Sequence, residues 1–360
     1  MQYKSLERRL GLATGAVSTV MNADAGTRYT RFPVSPKRGI IRKPGWTPKK
    51  RMILAPSKDL KAIQRAIARH ISSKFTAHPI AHAYENGRSI FANARQHVGA
   101  RSILKIDLVN FFGSIGRQSI IDALRLLLDD FGDRDIEVIA DLCCCDGYLP
   151  QGSPASPVLS NLVCYPLDVE LDRLARRHGC KVTRFSDDIT FSTSAEVFPP
   201  VLARTWRSGL AHGVALERPI CSLLQQRGFE INIGKLMFRT RPMPLKITGL
   251  IVTDSLSVPR AFWHNLRASL HNWDRRGLDT CARTHANGCV VAFVNSLRSS
   301  IEYIGQVQGR DCKRYQRALA AFEELRSRDK EPLSAAIQRI AAARKAKKAK
   351  DENVIIPGTG

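Results

Sequence analysis

Apolar residues along this chain follow two rhythms, and each change of rhythm marks an element. Leu60, Ile63, Ile67 and Ile71 recur at helical spacing while Lys61, Arg65 and Arg69 take the opposite face, which predicts an amphipathic helix. Gln118 to Leu128 repeats the pattern with Ile120, Ile121, Leu124, Leu127 and Leu128, and a second apolar segment runs from Ile136 to Cys144. A longer helix is expected from Val158 to about Arg177, burying Leu159, Leu162, Val163, Leu167, Leu171 and Leu174. Pro166 inside it should kink the helix or end its first part, because an interior proline costs ~3 kcal/mol. Residues 5–22 read as two short helices broken at Gly11, residues 197–227 as helical with a basic surface, and residues 259–343 as helical.

Shorter β-branched runs lie between these helices. Ile103 to Leu108 is a strand, and Val182 to Ser192 reads as strand, tight turn, strand. Short strands joined by turns are expected between Phe32 and Pro56, strand-and-turn character over Gly228 to Lys235, and a sheet-edge strand over Lys246 to Val252. Residues 78–101 are mostly loop, and Leu149 to Pro157 is a rigid, turn-rich loop. The fold class is α+β with an antiparallel sheet.

Charge narrows the choice of partner. The 360 residues are enough for two or three subdomains, and 44% apolar content is ordinary for a folded protein. The formal charge of +24, with pI near 10.1, calls for an acidic partner: nucleic acid first, an anionic membrane surface second. No apolar run approaches the ~20 residues of a membrane span, and Met1 to Glu7 holds no apolar signal core, so a soluble cytoplasmic protein is expected. Nine cysteines without a Cys-x-x-Cys motif suit reduced thiols, with the run Cys143-Cys144-Cys145 in a buried segment. Cys281, His285 and Cys289 are four apart and could share a helix face, but they match no standard zinc module. The run from Arg344 to Lys350 is a solvated basic tail.

The candidate chemistry lies in three acids. Asp187-Asp188 occupy the tip of the Val182–Ser192 hairpin, and Asp107 ends the Ile103–Leu108 strand. Adjacent carboxylates at a tip repel unless cations bind there. If the two strands pair, the three acids meet on one ledge and offer hard oxygen ligands to a pair of Mg²⁺ ions ~3.5–4 Å apart. The alternative is an ordinary Asp-Asp turn in a solvated hairpin.

The order of the motifs resembles the reverse transcriptases of bacterial retrons, from roughly residue 5 to residue 320. The resemblance is carried by Arg51 to Pro56, Gly87-Arg88-Ser89-Ile90, Asn93-Ala94-Arg95-Gln96-His97 and Asp107 with Phe111-Phe112. It continues through Leu149-Pro150-Gln151-Gly152-Ser153-Pro154, Asp187-Asp188, Gly228-Phe229 with Asn232 and Lys235, and Ile247-Thr248-Gly249. This chain departs from the family pattern in Phe185-Ser186 for Tyr-Ala, in Gly113 for Pro, and in Leu236 for Thr.

The resemblance implies a right-hand polymerase. Its parts would be an N-terminal helical extension (1–29), fingers (30–104), palm (105–255, with a fingers insertion at about 115–156), thumb (256–343) and basic tail (344–360). It implies RNA-directed DNA synthesis with two Mg²⁺ ions held by Asp107, Asp187 and Asp188, with the Leu108 carbonyl as a further ligand. Arg51, Phe112, Gln151 and Gly152 would bind the incoming deoxynucleoside triphosphate, Phe112 by blocking a 2′-hydroxyl. Lys235 would protonate pyrophosphate, and Ile247, Thr248 and Gly249 would grip the primer. Asn93 and His97 would either touch RNA or brace their loop. The implied partners are a cognate structured noncoding RNA, the RNA–DNA hybrid, an operon-encoded effector protein and a host RNase H. The implied role is synthesis of branched RNA–DNA from a 2′-hydroxyl primer, in antiphage defence. Two other readings remain: a defence-type or group II intron-derived reverse transcriptase with different priming, and an RNA-binding antitoxin scaffold whose polymerase site is vestigial.

Overall fold

The computed structural model describes residues 3–34, 51–208, 211–286, 288–339 and 342. The basic stretch Ser35 to Lys50 and the tail 344–360 lie outside the described residues. The chain divides into two compact units, residues 1–248 and 249–360.

The first unit opens with helices α1 (Lys4–Arg9) and α2 (Ala16–Asn22), broken as expected around Gly11. Strands β1 (Tyr29–Val34) and β2 (Arg51–Pro56) pair antiparallel, and Ser57 caps helix α3 (Lys58–Lys74), whose Leu60, Ile63, Ile67 and Ile71 are buried. The short helix α4 (Ile90–Arg95), capped by Ser89, interrupts a stretch read as mostly loop. Strand β3 (Ser102–Asp107) and helices α5 (Arg117–Leu127), α6 (Asp133–Cys143) and α7 (Ser156–Arg177) follow. Helix α7 continues through Pro166, so the proline does not end its first part. Leu162 before it and Leu167 and Leu171 after it are all buried, so packing on both sides outweighs the missing hydrogen bond.

Strands β4 (Lys181–Phe185) and β5 (Asp188–Thr193) form the hairpin. Residues 197–227 are not all helix: β6 (Ala203–Ser208) and β7 (Ala211–Leu216) make an antiparallel ribbon before helix α8 (Arg218–Gln226). Gly213 lets Trp206 lie across the ribbon, since a Cβ there would stand 2.1 Å from the indole. Strands β8 (Met237–Thr240) and β9 (Leu245–Ile247) complete the unit.

The central sheet has the order β4-β5-β3-β8, every neighbour antiparallel. Its edges are β4 and β8, so the strand expected over Lys246 to Val252 is not an edge of it. That segment is also split. Thr248 and Gly249 take φ of +44° and +89°, which ends β9 and lets β10 (Leu250–Val252) start afresh. One sheet face carries Leu104, Ile106, Val182, Ile189 and Phe191, in one core with Ile63, Leu124, Leu159 and Leu167 of the helices. The other face carries Thr183, Thr190 and Ser192, also buried.

In the second unit β10 pairs with β11 (Leu256–Ser257), and helices α9 (Arg260–Arg276), α10 (Leu278–His285), α11 (Val290–Gln308) and α12 (Lys313–Arg328) follow. Trp273 is fully buried, edge-on to Phe293 and Phe322, and its indole donates to Asp329 at 2.7 Å. Arg260, Arg267, Arg275, Arg276, Arg298, Lys313, Arg314 and Arg317 are exposed. Cys281 and His285 lie on α10, but Cys289 lies beyond its end and caps α11, so the three do not share one helix face. All nine cysteines are free thiols, Cys143 buried. Among the described residues no helix is long and apolar enough to cross a membrane.

Candidate active site

Strand pairing brings the acids together. In the β3–β5 register Asp107 stands opposite Asp188, and the Leu108 amide donates to the Asp187 carbonyl at 3.0 Å. The turn is made by Ser186, whose φ of +61° reverses the chain without glycine. The first acid and the hairpin tip therefore share one end of the sheet.

Three carboxylates in such proximity need positive charge, and the chain supplies part of it. Lys235 Nζ lies 2.8 and 2.9 Å from the two oxygens of Asp107, and Asn232 Nδ2 donates to Oδ2 at 3.0 Å. Lys105 pairs with Asp188 at 3.1 Å. The Asp187 carboxyl is pushed above its ordinary range, first by burial and further by the charges of Asp107 and Asp188. A cation beside Asp187 would relieve that cost.

The donor set is hard oxygen, as Mg²⁺ requires, and an ammonium already lies against Asp107, so the residues fit a divalent cation. The fit is narrower than a symmetrical triad. Among the described residues no three acidic, imidazole or thiol groups are close enough to hold an ion by themselves, and the Asp188 carboxylate is engaged by Lys105. Asp107 is likewise engaged by Lys235, so what sets Asp107 and Asp187 apart is where they open.

Both line a cavity of about 900 Å³ with Leu108, Arg51, Phe112, Gln151 and Lys235. Arg51 enters it from the start of β2 and is exposed. Phe111 belongs to the core, stacked on Phe229 at 5.7 Å, while Phe112 is only partly buried and faces the cavity. Gly152 has φ of +135°, and a Cβ there would meet the Leu54 carbonyl at 2.6 Å. Its backbone approach is thus to β2, fixed by the Leu54 amide donating to the Gln151 carbonyl at 2.9 Å. At Gly113 a Cβ would fall 2.3 Å from the Asn110 side-chain Nδ2, so a larger residue there would have to displace that side chain.

Asn93 and His97 lie elsewhere. Both are buried, and they do not bond to each other; His97 Nδ1 meets Ser192 Oγ at 2.6 Å and Nε2 meets Thr183 Oγ1 at 2.8 Å. Of the two expectations for these residues, contact with RNA or bracing, the burial and bonds of His97 favour a brace on the hairpin. Burial, with lesser contributions from His82 and Lys181, lowers the His97 pKa to about 3, so the ring is neutral. Ile247 is fully buried, and the Thr248 hydroxyl donates to the Ile90 carbonyl at 3.0 Å.

Several residues at the site carried no sequence signal of their own. Tyr84 lines the cavity and its hydroxyl bonds Ser186 Oγ at 3.0 Å. Arg184 and Asp168 form a fully buried ion pair behind the turn, both bonds at 2.6 Å. Lys105 alternates on β3 with apolar residues, a pattern that also fits a solvated strand position.

A family model described as reverse transcriptase (RNA-dependent DNA polymerase) matches residues 41–252. Curated relatives include the retron Ec86 reverse transcriptase of Escherichia coli, 32% identical over 62% of this chain and 66% of that one. The retron Mx162 reverse transcriptase of Myxococcus xanthus is 30% identical over 75% of this chain and 58% of its own length. The chain thus spans less than two thirds of either. The retron Ec83 reverse transcriptase of Escherichia coli is 28% identical over 84% of this chain and 94% of its own. With its acids, cavity and aromatic floor placed as described, the chain belongs to the reverse transcriptase family.

Proposed function

We propose that this protein is an RNA-directed DNA polymerase of the retron type. It copies a cognate structured RNA from a 2′-hydroxyl of that RNA, and the branched RNA–DNA product serves antiphage defence together with an operon-encoded effector. The observation that carries the reading is the meeting of Asp107 and Asp187 in a cavity also lined by Arg51 and Phe112. Residues 1–29 would be the extension and 30–104 the fingers, with palm at 105–255 and thumb in the helices of the second unit.

In this reading the primer hydroxyl oxygen bonds the α-phosphorus of a deoxynucleoside triphosphate as the bond to pyrophosphate breaks, and the hydroxyl proton passes to solvent water. Asp107 and Asp187, with Asp188 as an outer or second ligand and the Leu108 carbonyl as a further one, would hold two Mg²⁺ ions, whose charge would acidify the hydroxyl and offset that of the leaving group. Arg51 binds the triphosphate with its guanidinium fork. Phe112 lies under the sugar and excludes a 2′-hydroxyl, and Gln151 lines the nucleotide's side. Lys235 gives a proton to pyrophosphate. The exposed arginines and lysines of α9 and α12 follow phosphates, so affinity falls as salt rises. Template removal is left to a host RNase H in the cytoplasm.

The test supplies the purified chain with the structured RNA encoded next to its gene, deoxynucleotides and Mg²⁺. DNA joined to RNA by a 2′–5′ branch is expected. DNA with a linear 5′ end would favour intron-type priming, and RNA binding without DNA would favour the antitoxin scaffold.

A further inference from the structure

The floor of the cavity holds a second ring. Phe112 packs against Phe111, edge-on at 5.3 Å, and against Tyr84, whose ring centre lies 6.1 Å away at 44°. Tyr84 is 48% exposed, so its ring gains little by burial. It also takes φ of +65°, a conformation that costs a bulky residue free energy. Neither fact suits a packing residue.

The surroundings fix this unfavourable placement. The Tyr84 hydroxyl bonds Ser186 Oγ, the residue before Asp187. Behind them Arg184, paired with buried Asp168, donates to the Ser186 carbonyl at 3.3 Å and to Asn161 Oδ1 at 3.2 Å. Asn161 in turn donates to the carbonyl of Ala83, the neighbour of Tyr84, at 2.9 Å. The His82 amide donates to the Arg184 carbonyl at 2.8 Å. One buried guanidinium therefore sets the peptide beside Tyr84 and the peptide of Ser186 together. Such locked supporting contacts are what hold a functional side chain to a narrow geometry.

We propose that Tyr84 is a second specificity-determining residue, which backs Phe112 against ribonucleotides and is held in place by the Ser186 hydroxyl. A lone ring can turn aside to admit a 2′-hydroxyl. The Phe111 and Tyr84 rings, both packed against Phe112, restrict that movement. The serine in the catalytic turn, where the family pattern has alanine, then supplies the hydroxyl that Tyr84 needs. The proposal rests on the DNA polymerase reading above.

The experiment measures kcat/KM for one deoxynucleotide and its ribonucleotide on one RNA template–primer, in wild type, Tyr84→Phe, Ser186→Ala, the double variant and Tyr84→Ala. Tyr84→Phe and Ser186→Ala should each lower discrimination by about two- to tenfold, the range one hydrogen bond supplies. The double variant should fall no further than either single variant, and Tyr84→Ala should fall furthest, through a lower ribonucleotide KM. A purely structural role would slow both nucleotides alike and leave discrimination unchanged, which would overturn the proposal alone. Wild type that incorporates no nucleotide on any RNA template would overturn the polymerase reading and this proposal with it.

Discussion

Lys235 engages Asp107 through both carboxylate oxygens, at 2.8 and 2.9 Å, although 128 residues separate them in the chain. The ammonium lies against the carboxylate that should ligate a divalent cation, so the two cations compete. The Lys235 side chain is 60% exposed, which limits such a pair to about 1 kcal/mol. Lys235→Met should therefore tighten Mn²⁺ binding up to about fivefold, followed by paramagnetic relaxation, while slowing nucleotide addition. Unchanged Mn²⁺ affinity would contradict the competition.

The acids should not be equivalent. Asp107 and Asp187 line the cavity, whereas Asp188 is not part of its lining and pairs with Lys105. Asp107→Asn and Asp187→Asn should each lower kcat on the order of 10³-fold, by analogy with loss of other charge-stabilising groups. Asp188→Asn should be milder by at least about tenfold, and all three should bind RNA as wild type does, because affinity comes from exposed basic residues. Equal losses at 187 and 188 in single-turnover extension would refute the distinction.

Arg184 and Asp168 are both fully buried. Removing either partner leaves a charge without compensation, so Asp168→Asn or Arg184→Met should lose about 3–5 kcal/mol in urea unfolding. Replacing both, by Asp168→Leu with Arg184→Met, should cost less than the sum of the two, since no buried charge remains. Additive losses would mean the pair does not act as a unit.

The acids were legible because strands and turns have local signatures: β-branched runs flank Asp187-Asp188, and Ile103 to Leu108 leads to Asp107. Helices α3 and α5 followed directly from apolar spacing, whereas α6 was marked only as an apolar segment. The β6–β7 ribbon escaped because it is defined by cross-strand pairing, with Gly213 opposite Trp206, a relation between positions that no helical or strand period marks. Pro166 did not end helix α7 because a local penalty was overcome by tertiary burial. Tyr84, Arg184 and Asp168 act through contacts between distant segments, and single residue types say nothing of those. His97 was visible as a motif, but its burial against Thr183 and Ser192 required the fold.

His97 also sets a pH dependence. Its folded pKa of about 3 lies below the unfolded value of 6.5, and His82 is lowered to about 4, in both cases chiefly by burial. Below pH 6.5 the unfolded chain takes up these protons and the native state does not. The stabilisation present above 6.5 is therefore lost as pH falls toward the folded values, at about 1.4 kcal/mol per pH unit for each histidine. His97→Gln should flatten the stability profile between pH 6 and about 4 in urea titrations. An unchanged slope would show that His97 is protonated in the folded state.

The most direct test of the account is affinity cleavage with Fe²⁺ in place of Mg²⁺, in the presence of ascorbate and peroxide, read by mass spectrometry of the peptide fragments. Asp107 and Asp187 in one metal site predict main-chain cuts clustered around residues 107 and 187, both suppressed by excess Mg²⁺ and both lost together in Asp187→Asn. Cuts near only one of the two, or cuts near 107 that survive Asp187→Asn, would contradict a shared site.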